Sequence, residues 1–176
     1  NFKYSQRMDR GSENMIVMKF GGTSVGSAES ITALAGIVGA AASSGKKPFV
    51  VVSAVSGVTD LLLNSARKAL ERGASVKSIM AGIEDRHNAL ASKLGIPENV
   101  FMEELTELEH VLFGISLVRE LTPRTMDYVA SFGERISSGI VAAFARKLGI
   151  DAKAFNAYDL GMVTNDNFGR AEILPS

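Results

Sequence analysis

Two short apolar runs separated by one amphipathic helical pattern constrain the fold of this 176-residue chain more than any other feature. The first, Ile16-Val17-Met18-Lys19-Phe20, is interrupted by a single lysine and closed by Gly21-Gly22, the length and boundary of a buried strand. The second, Pro48-Phe49-Val50-Val51-Val52-Ser53, is β-branched and apolar at successive positions. Such runs belong to parallel sheets covered by helices on both faces. Between them, Ser27 to Ser44 places Ile31, Leu34, Ala35, Val38 and Ala42 on one helical face, and Gly45 ends it. Strand, helix and strand in this order predict a right-handed βαβ unit.

The middle of the chain reads as helical. Patterns run from Asp60 to Arg72, from Ser75 to Leu94 with Gly95 and Pro97 as stops, and from Glu98 to Leu121. In the last of these, Phe101, Leu105, Leu108, Leu112 and Ile115 form a narrow seam for a neighbouring helix. Thr122-Pro123 restarts the chain, and two helical pieces are expected, Arg124 to Ser131 and Glu134 to Leu148. Short strands are expected at Ala152–Phe155, Gly161–Thr164 and Ala171–Leu174, with a turn at Asn165–Gly169. The polar stretch Asn1 to Asn14 reads as a disordered extension or an expression remnant, so ordered structure is expected from Met15 onward. The sheet is expected to be incomplete at the C-terminal end.

Composition excludes several function classes. Nineteen Lys and Arg balance nineteen Asp and Glu, leaving no basic field for nucleic acid or an anionic membrane. No apolar run reaches the length of a membrane helix. With no cysteine there is no thiol nucleophile, no disulfide and no thiolate zinc site, and an intracellular setting is expected. The two histidines lack metal-ligand spacing: His87 lies on the apolar side of its helix and reads as half-buried, and His110 sits among glutamates. No metal site is therefore expected from them.

Three segments carry chemistry. Lys19-Phe20-Gly21-Gly22-Thr23-Ser24-Val25-Gly26 joins a strand to a helix, where glycines let backbone N–H groups approach an anion and the helix adds its dipole. Its spacing is neither that of the P-loop nor that of the dinucleotide fingerprint. Lys19, near the end of an apolar strand, either meets an anion or snorkels to water. The second segment, Ser53-Ala54-Val55-Ser56-Gly57-Val58-Thr59-Asp60, leaves the second strand into the same crevice. Its hydroxyls would bind a small polar substrate, or Thr59 or Asp60 would cap a helix. The third is Ser131-Phe132-Gly133-Glu134-Arg135-Ile136-Ser137. There Glu134 either closes a Ser-x-x-Glu capping box or faces the crevice and pairs with a substrate cation.

Taken together, these segments resemble the aspartate kinases of the amino acid kinase family. Lys19 to Val25 is similar to their opening signature, Ser131 to Ser137 to their second, and Ser53 to Thr59 to their substrate loop. Thr164, Asp166, Phe168 and Gly169 fit the pattern that follows. The resemblance implies a three-layer α/β/α sandwich with a mostly parallel sheet, and transfer of the γ-phosphoryl of MgATP to the side-chain carboxylate of L-aspartate. That reaction opens the route to lysine, threonine and methionine. Carried over by position, Lys19 would be catalytic, and with Gly21, Gly22 and Thr23 would bind the ATP phosphates. Ser53 and Thr59 would contact aspartate, and Glu134 would hold its amino group. The resemblance also implies a cytoplasmic enzyme that forms a homo-oligomer at full length. It covers only the substrate-side portion: the nucleotide-base half and regulatory domains lie outside the chain, and fusion to homoserine dehydrogenase stays open. The chain alone is accordingly expected to be inactive. The alternatives are an anion-binding or regulatory module without chemistry, or a kinase for another small carboxylate.

Overall fold

The computed structural model describes residues 14–175. The expectation for the N-terminal extension falls outside this range except at Asn14, whose carbonyl accepts the Lys47 N–H at 2.8 Å. β1 (Met15–Phe20) and β2 (Lys47–Val52) lie side by side in parallel, with Lys19 opposite Val51. α1 (Ala28–Ser43) makes the crossover between them. The βαβ unit expected from periodicity is thus present. Its helix begins where the sequence provides a cap, because the Ser27 hydroxyl accepts the Ser30 N–H at 3.2 Å.

Alternation along the two strands separates their faces. Met18, Phe20, Val50 and Val52 pack against the core. Val17, Lys19, Phe49 and Val51 point the other way and are exposed, Val17 to 65%. Helices therefore cover one face of this pair among the described residues, whereas the sequence pattern is that of strands buried on both faces.

Among the described residues, four further α-helices complete the helical layer: α2 (Val58–Ala69), α3 (Val76–Leu94), α4 (Met102–Val118) and α5 (Pro123–Lys147). Ser75 and Thr122 cap α3 and α5 by accepting the N–H groups of Ser78 and Thr125. Gly95 ends α3 at φ 61°. The seam on α4 is buried as its spacing requires, at Leu105, Leu108, Leu112 and Ile115. No helix among the described residues is long and apolar enough to cross a membrane.

Where two helical pieces were expected around Gly133, a single 25-residue helix runs through it. Gly133 is not a breaker: α5 crosses so close to the loop after β2 that a side-chain carbon there would lie 2.6 Å from the Ala54 Cβ. Phe132, Ile136 and Ile140 on the same face are fully buried. Each contributes about 1.5–3 kcal/mol of apolar burial, enough to outweigh the intrinsic cost of one helical glycine. Across the α4–α5 contact, Glu107 accepts hydrogen bonds from both Arg135 and the Tyr128 hydroxyl. These bonds, that of Arg135 foremost, hold the Glu107 carboxyl below the usual carboxylate range. The Arg135 guanidinium also lies over the Phe132 ring, 4.4 Å from its centroid.

The C-terminal stretch departs from expectation. No strand forms at Ala152–Phe155, and at Gly161–Thr164 and Ala171–Leu174 pairing is limited to one antiparallel bridge between Thr164 and Ile173. A strand is stable only with a partner. The turn at Asn165–Gly169 does form, and its Gly169 N–H donates to the Asp127 carboxylate at 2.6 Å, pinning it to α5.

Candidate functional site

Parallel pairing brings the C-terminal ends of β1 and β2 to the same edge, so the segments that follow them meet. Ser53 marks the junction, its N–H donating to the Phe20 carbonyl at 3.1 Å. The glycine segment folds into a 3₁₀ turn over Gly22–Val25, anchored by Val25, which is fully buried. Thr23, on the same turn, is exposed. Gly21 has open space on its side-chain side. Gly22 does not: a Cβ there would come within 3.0 Å of the Ala54 carbonyl oxygen. At Gly26 it would meet the Ser56 hydroxyl at 3.2 Å. Gly22 thus lets the loops after β1 and β2 lie backbone against backbone, Gly26 makes room for the Ser56 side chain, and Gly21 is left on the open side.

α5 delivers the third segment. Glu134 Oε1 accepts the Ala54 N–H at 3.2 Å, across eighty positions of sequence. This bond, and the place of Ser131, rule out the capping role. Ser131 lies well inside α5, so no helix starts there to be capped. Its hydroxyl instead donates to the Tyr128 carbonyl at 2.7 Å. Glu134 faces the loop edge, with one oxygen engaged by backbone and its side chain on an exposed position. Thr59 is likewise no cap: Gly57, at φ 75°, occupies the cap position of α2, which leaves Thr59 exposed in the first turn.

Lys19 stands beside Gly21-Gly22 on the uncovered face of the sheet. It is exposed, and among the described residues no carboxylate pairs with it. Its ammonium is therefore neither locked against an acid nor enclosed by the cleft walls present here. The structure brings together Gly21, Gly22, Ser53 and the Glu134 carboxylate around Ala54, with Thr23 and Thr59 on the rims of the two loops.

The histidines fall outside this cluster. His87 is 1% exposed, deeper than the half-burial its spacing suggested. Its Nδ1 donates to the Ile83 carbonyl at 2.7 Å, and its ring packs 6.0 Å from that of Phe101. Burial pushes its pKa below the ordinary histidine value, so it is a neutral core residue.

Two residues that spacing did not single out hold segments in place. Arg86 on α3 donates to the Ser56 carbonyl, and Asp127 holds the Asn165–Gly169 turn. Both are surface charges within ordinary helical patterns, and no local signal distinguishes them.

The chain is 38% identical over 167 residues to aspartokinase 2, chloroplastic, of Arabidopsis thaliana, covering 93% of this chain and 30% of that protein. It superposes on the crystal structure of E. coli aspartokinase III in complex with aspartate and ADP with a TM-score of 0.71 at 32% identity. That match covers 90% of this chain and 34% of the other. The lysine- and aspartate-bound T-state of the same enzyme gives a TM-score of 0.70, also at 32% identity, covering 91% of this chain and 35% of that one. The chain thus spans about a third of the length of the relatives it matches. The model of the amino acid kinase family matches residues 14–172, from just before β1 to just short of Ile173 in the final bridge. With the parallel strand pair, the glycine turn between β1 and α1 and the carboxylate delivered by α5, this match over most of its length makes the chain a member of the amino acid kinase family.

Proposed function

We propose that this chain is the substrate-side portion of an aspartokinase, an enzyme that moves the γ-phosphoryl of MgATP to the side-chain carboxylate of L-aspartate. The observation that carries the reading is the convergence on Ala54. Its carbonyl lies against Gly22, its N–H on Glu134, and its loop runs directly from Ser53 to Thr59.

The chemistry fits these groups. A carboxylate is already anionic and needs no general base. Its oxygen forms a bond to the γ-phosphorus while the bond from that phosphorus to the β–γ bridging oxygen breaks, and ADP leaves with that oxygen. The protein's task is to position the two anions and neutralise their charge. Lys19 supplies a cation beside the glycine turn, and backbone N–H groups at Gly21, Gly22 and Thr23 supply donors. Ser53 and Thr59 hold the acceptor, and the Glu134 oxygen left free by Ala54 pairs with its ammonium. Magnesium would arrive with the nucleotide, held by its phosphates. The exposed apolar face at Val17, Phe49 and Val51 supports the placement of further sheet-covering structure in the complete enzyme. A cytoplasmic homo-oligomer belongs to the same reading.

ADP release with MgATP and aspartate tests it. The complete enzyme is expected to turn over and this chain alone is not. Lys19→Ala in the complete enzyme is expected to lower kcat at least about a hundredfold, the scale for one lost electrostatic stabiliser. A loss of less than about threefold would remove Lys19 from the chemistry, and robust turnover by the isolated chain would overturn its assignment as an incomplete portion.

A further inference from the structure

The loop between β2 and α2 has a weak point. Gly57 sits at φ 75°, a conformation open to glycine on either sign of φ, so the peptide joining Ser56 to Gly57 can rotate at little cost. Two flanking bonds fix its neighbours: Ala54 N–H to Glu134, and Val58 N–H to the Val55 carbonyl at 2.9 Å. Neither fixes the orientation of the 56–57 peptide. The Ser56 carbonyl is engaged by the Arg86 guanidinium, which donates to it from α3. The next helical residue, His87, is buried with Ile83 and Leu90, so the backbone that carries Arg86 is held firmly. The guanidinium also lies 3.7 Å from where a Gly57 side chain would begin.

We propose that Arg86 is a positioning residue for the acceptor-binding loop. It fixes the 56–57 peptide plane and so sets affinity for the carboxylate substrate without touching it. In a trans peptide the C=O and N–H point in opposite directions. Holding the Ser56 carbonyl toward α3 therefore turns the Gly57 N–H to the other side of the loop. The Ser56 hydroxyl lies by Gly26, and Thr59 follows in the first turn of α2, so both flank the peptide that this bond orients. The inference rests on the reading of Ser53 to Thr59 as the acceptor loop. Arg86 itself is exposed and lies in the middle of α3, where alanine is well tolerated.

Arg86→Ala and Arg86→Lys in the complete enzyme, followed by hydrogen exchange and steady-state kinetics, test it. In Arg86→Ala the amides of residues 54–58 are expected to exchange about tenfold faster, the scale of one lost hydrogen bond, while those of Ile83 and His87 are unchanged. KM for aspartate is expected to rise about tenfold, with kcat and KM for ATP within about twofold. Arg86→Lys, which retains one charged donor, is expected to recover a large part of both effects. Unchanged loop exchange overturns the proposal. So does faster exchange with an unaltered aspartate KM, or an equal rise in both KM values. If the unsubstituted enzyme shows no aspartate-dependent ADP release, the functional reading falls instead. Loop exchange then still decides whether Arg86 holds the peptide: faster exchange sustains the clamp and unchanged exchange overturns it.

Discussion

Replacing Gly133 by alanine puts the packing of α5 on the acceptor loop to a direct test. In an exposed helix the change would stabilise by about 1 kcal/mol, because alanine is the better helix former. Here the new methyl would begin 2.6 Å from the Ala54 Cβ, with Leu62 Cδ1 and Val58 Cγ1 each at 3.5 Å. All three neighbours lie in the core, and Val58 and Leu62 are wholly buried, so none can swing aside. To restore an ordinary carbon–carbon contact, α5 or the loop must move by roughly 1 Å, an overpacking cost near the upper end of about 1–3 kcal/mol. Subtracting the helix gain leaves a net loss of about 2 kcal/mol, or a fall in Tm of about 4–8 °C for a chain of this size. Urea unfolding followed by circular dichroism measures it. Because the clash is with a single methyl, Ala54→Gly introduced alongside should recover most of the loss, with a coupling of about 2 kcal/mol across the double-mutant cycle. A neutral or stabilised Gly133→Ala, or a second substitution that rescues nothing, would refute the close approach of α5 and with it the route by which Glu134 reaches the loop.

Two further outcomes separate structural from functional roles. Glu134→Gln keeps an oxygen able to accept the Ala54 N–H but loses the charge, so the unfolding midpoint should hold. In the complete enzyme KM for aspartate should rise at least about tenfold, as for a lost charge-assisted bond; an unchanged KM would leave Glu134 a loop anchor only. His87 titrates lower in the folded protein than its ordinary value of 6.5. Above that value both states are neutral. As pH falls below it the unfolded chain takes up a proton that the folded core refuses, so stability is lost with acidification. The urea midpoint should fall from pH 7 to 5.5, and His87→Gln should flatten that slope. A slope that persists in the variant would assign the effect elsewhere.

The chain's local grammar was plain to read in its residues. The βαβ unit followed from run length and period, the starts of α1, α3 and α5 from Ser27, Ser75 and Thr122, and the α4 seam from alternating spacings of three and four. Caps, turns and periodicity act over a few positions and need no partner to be recognised. The glycine turn and its neighbouring loop were legible for the same reason, since strands pairing in parallel must release their following segments at one edge.

Other features depended on which surfaces meet. Gly133 looks like a helix breaker until Ala54 lies against it, and Glu134 looks like a cap until its helix proves to have begun eleven residues earlier, at Pro123. The strands expected after Ile150 shrank to one bridge because pairing energy belongs to two segments and not to one. Arg86 carries no mark of its role in the sequence, for its partner is a backbone carbonyl thirty positions away that any residue would have offered. Periodicity is a property of one segment and survives in the sequence. Contact between distant segments is decided by packing, which only the folded chain brings about.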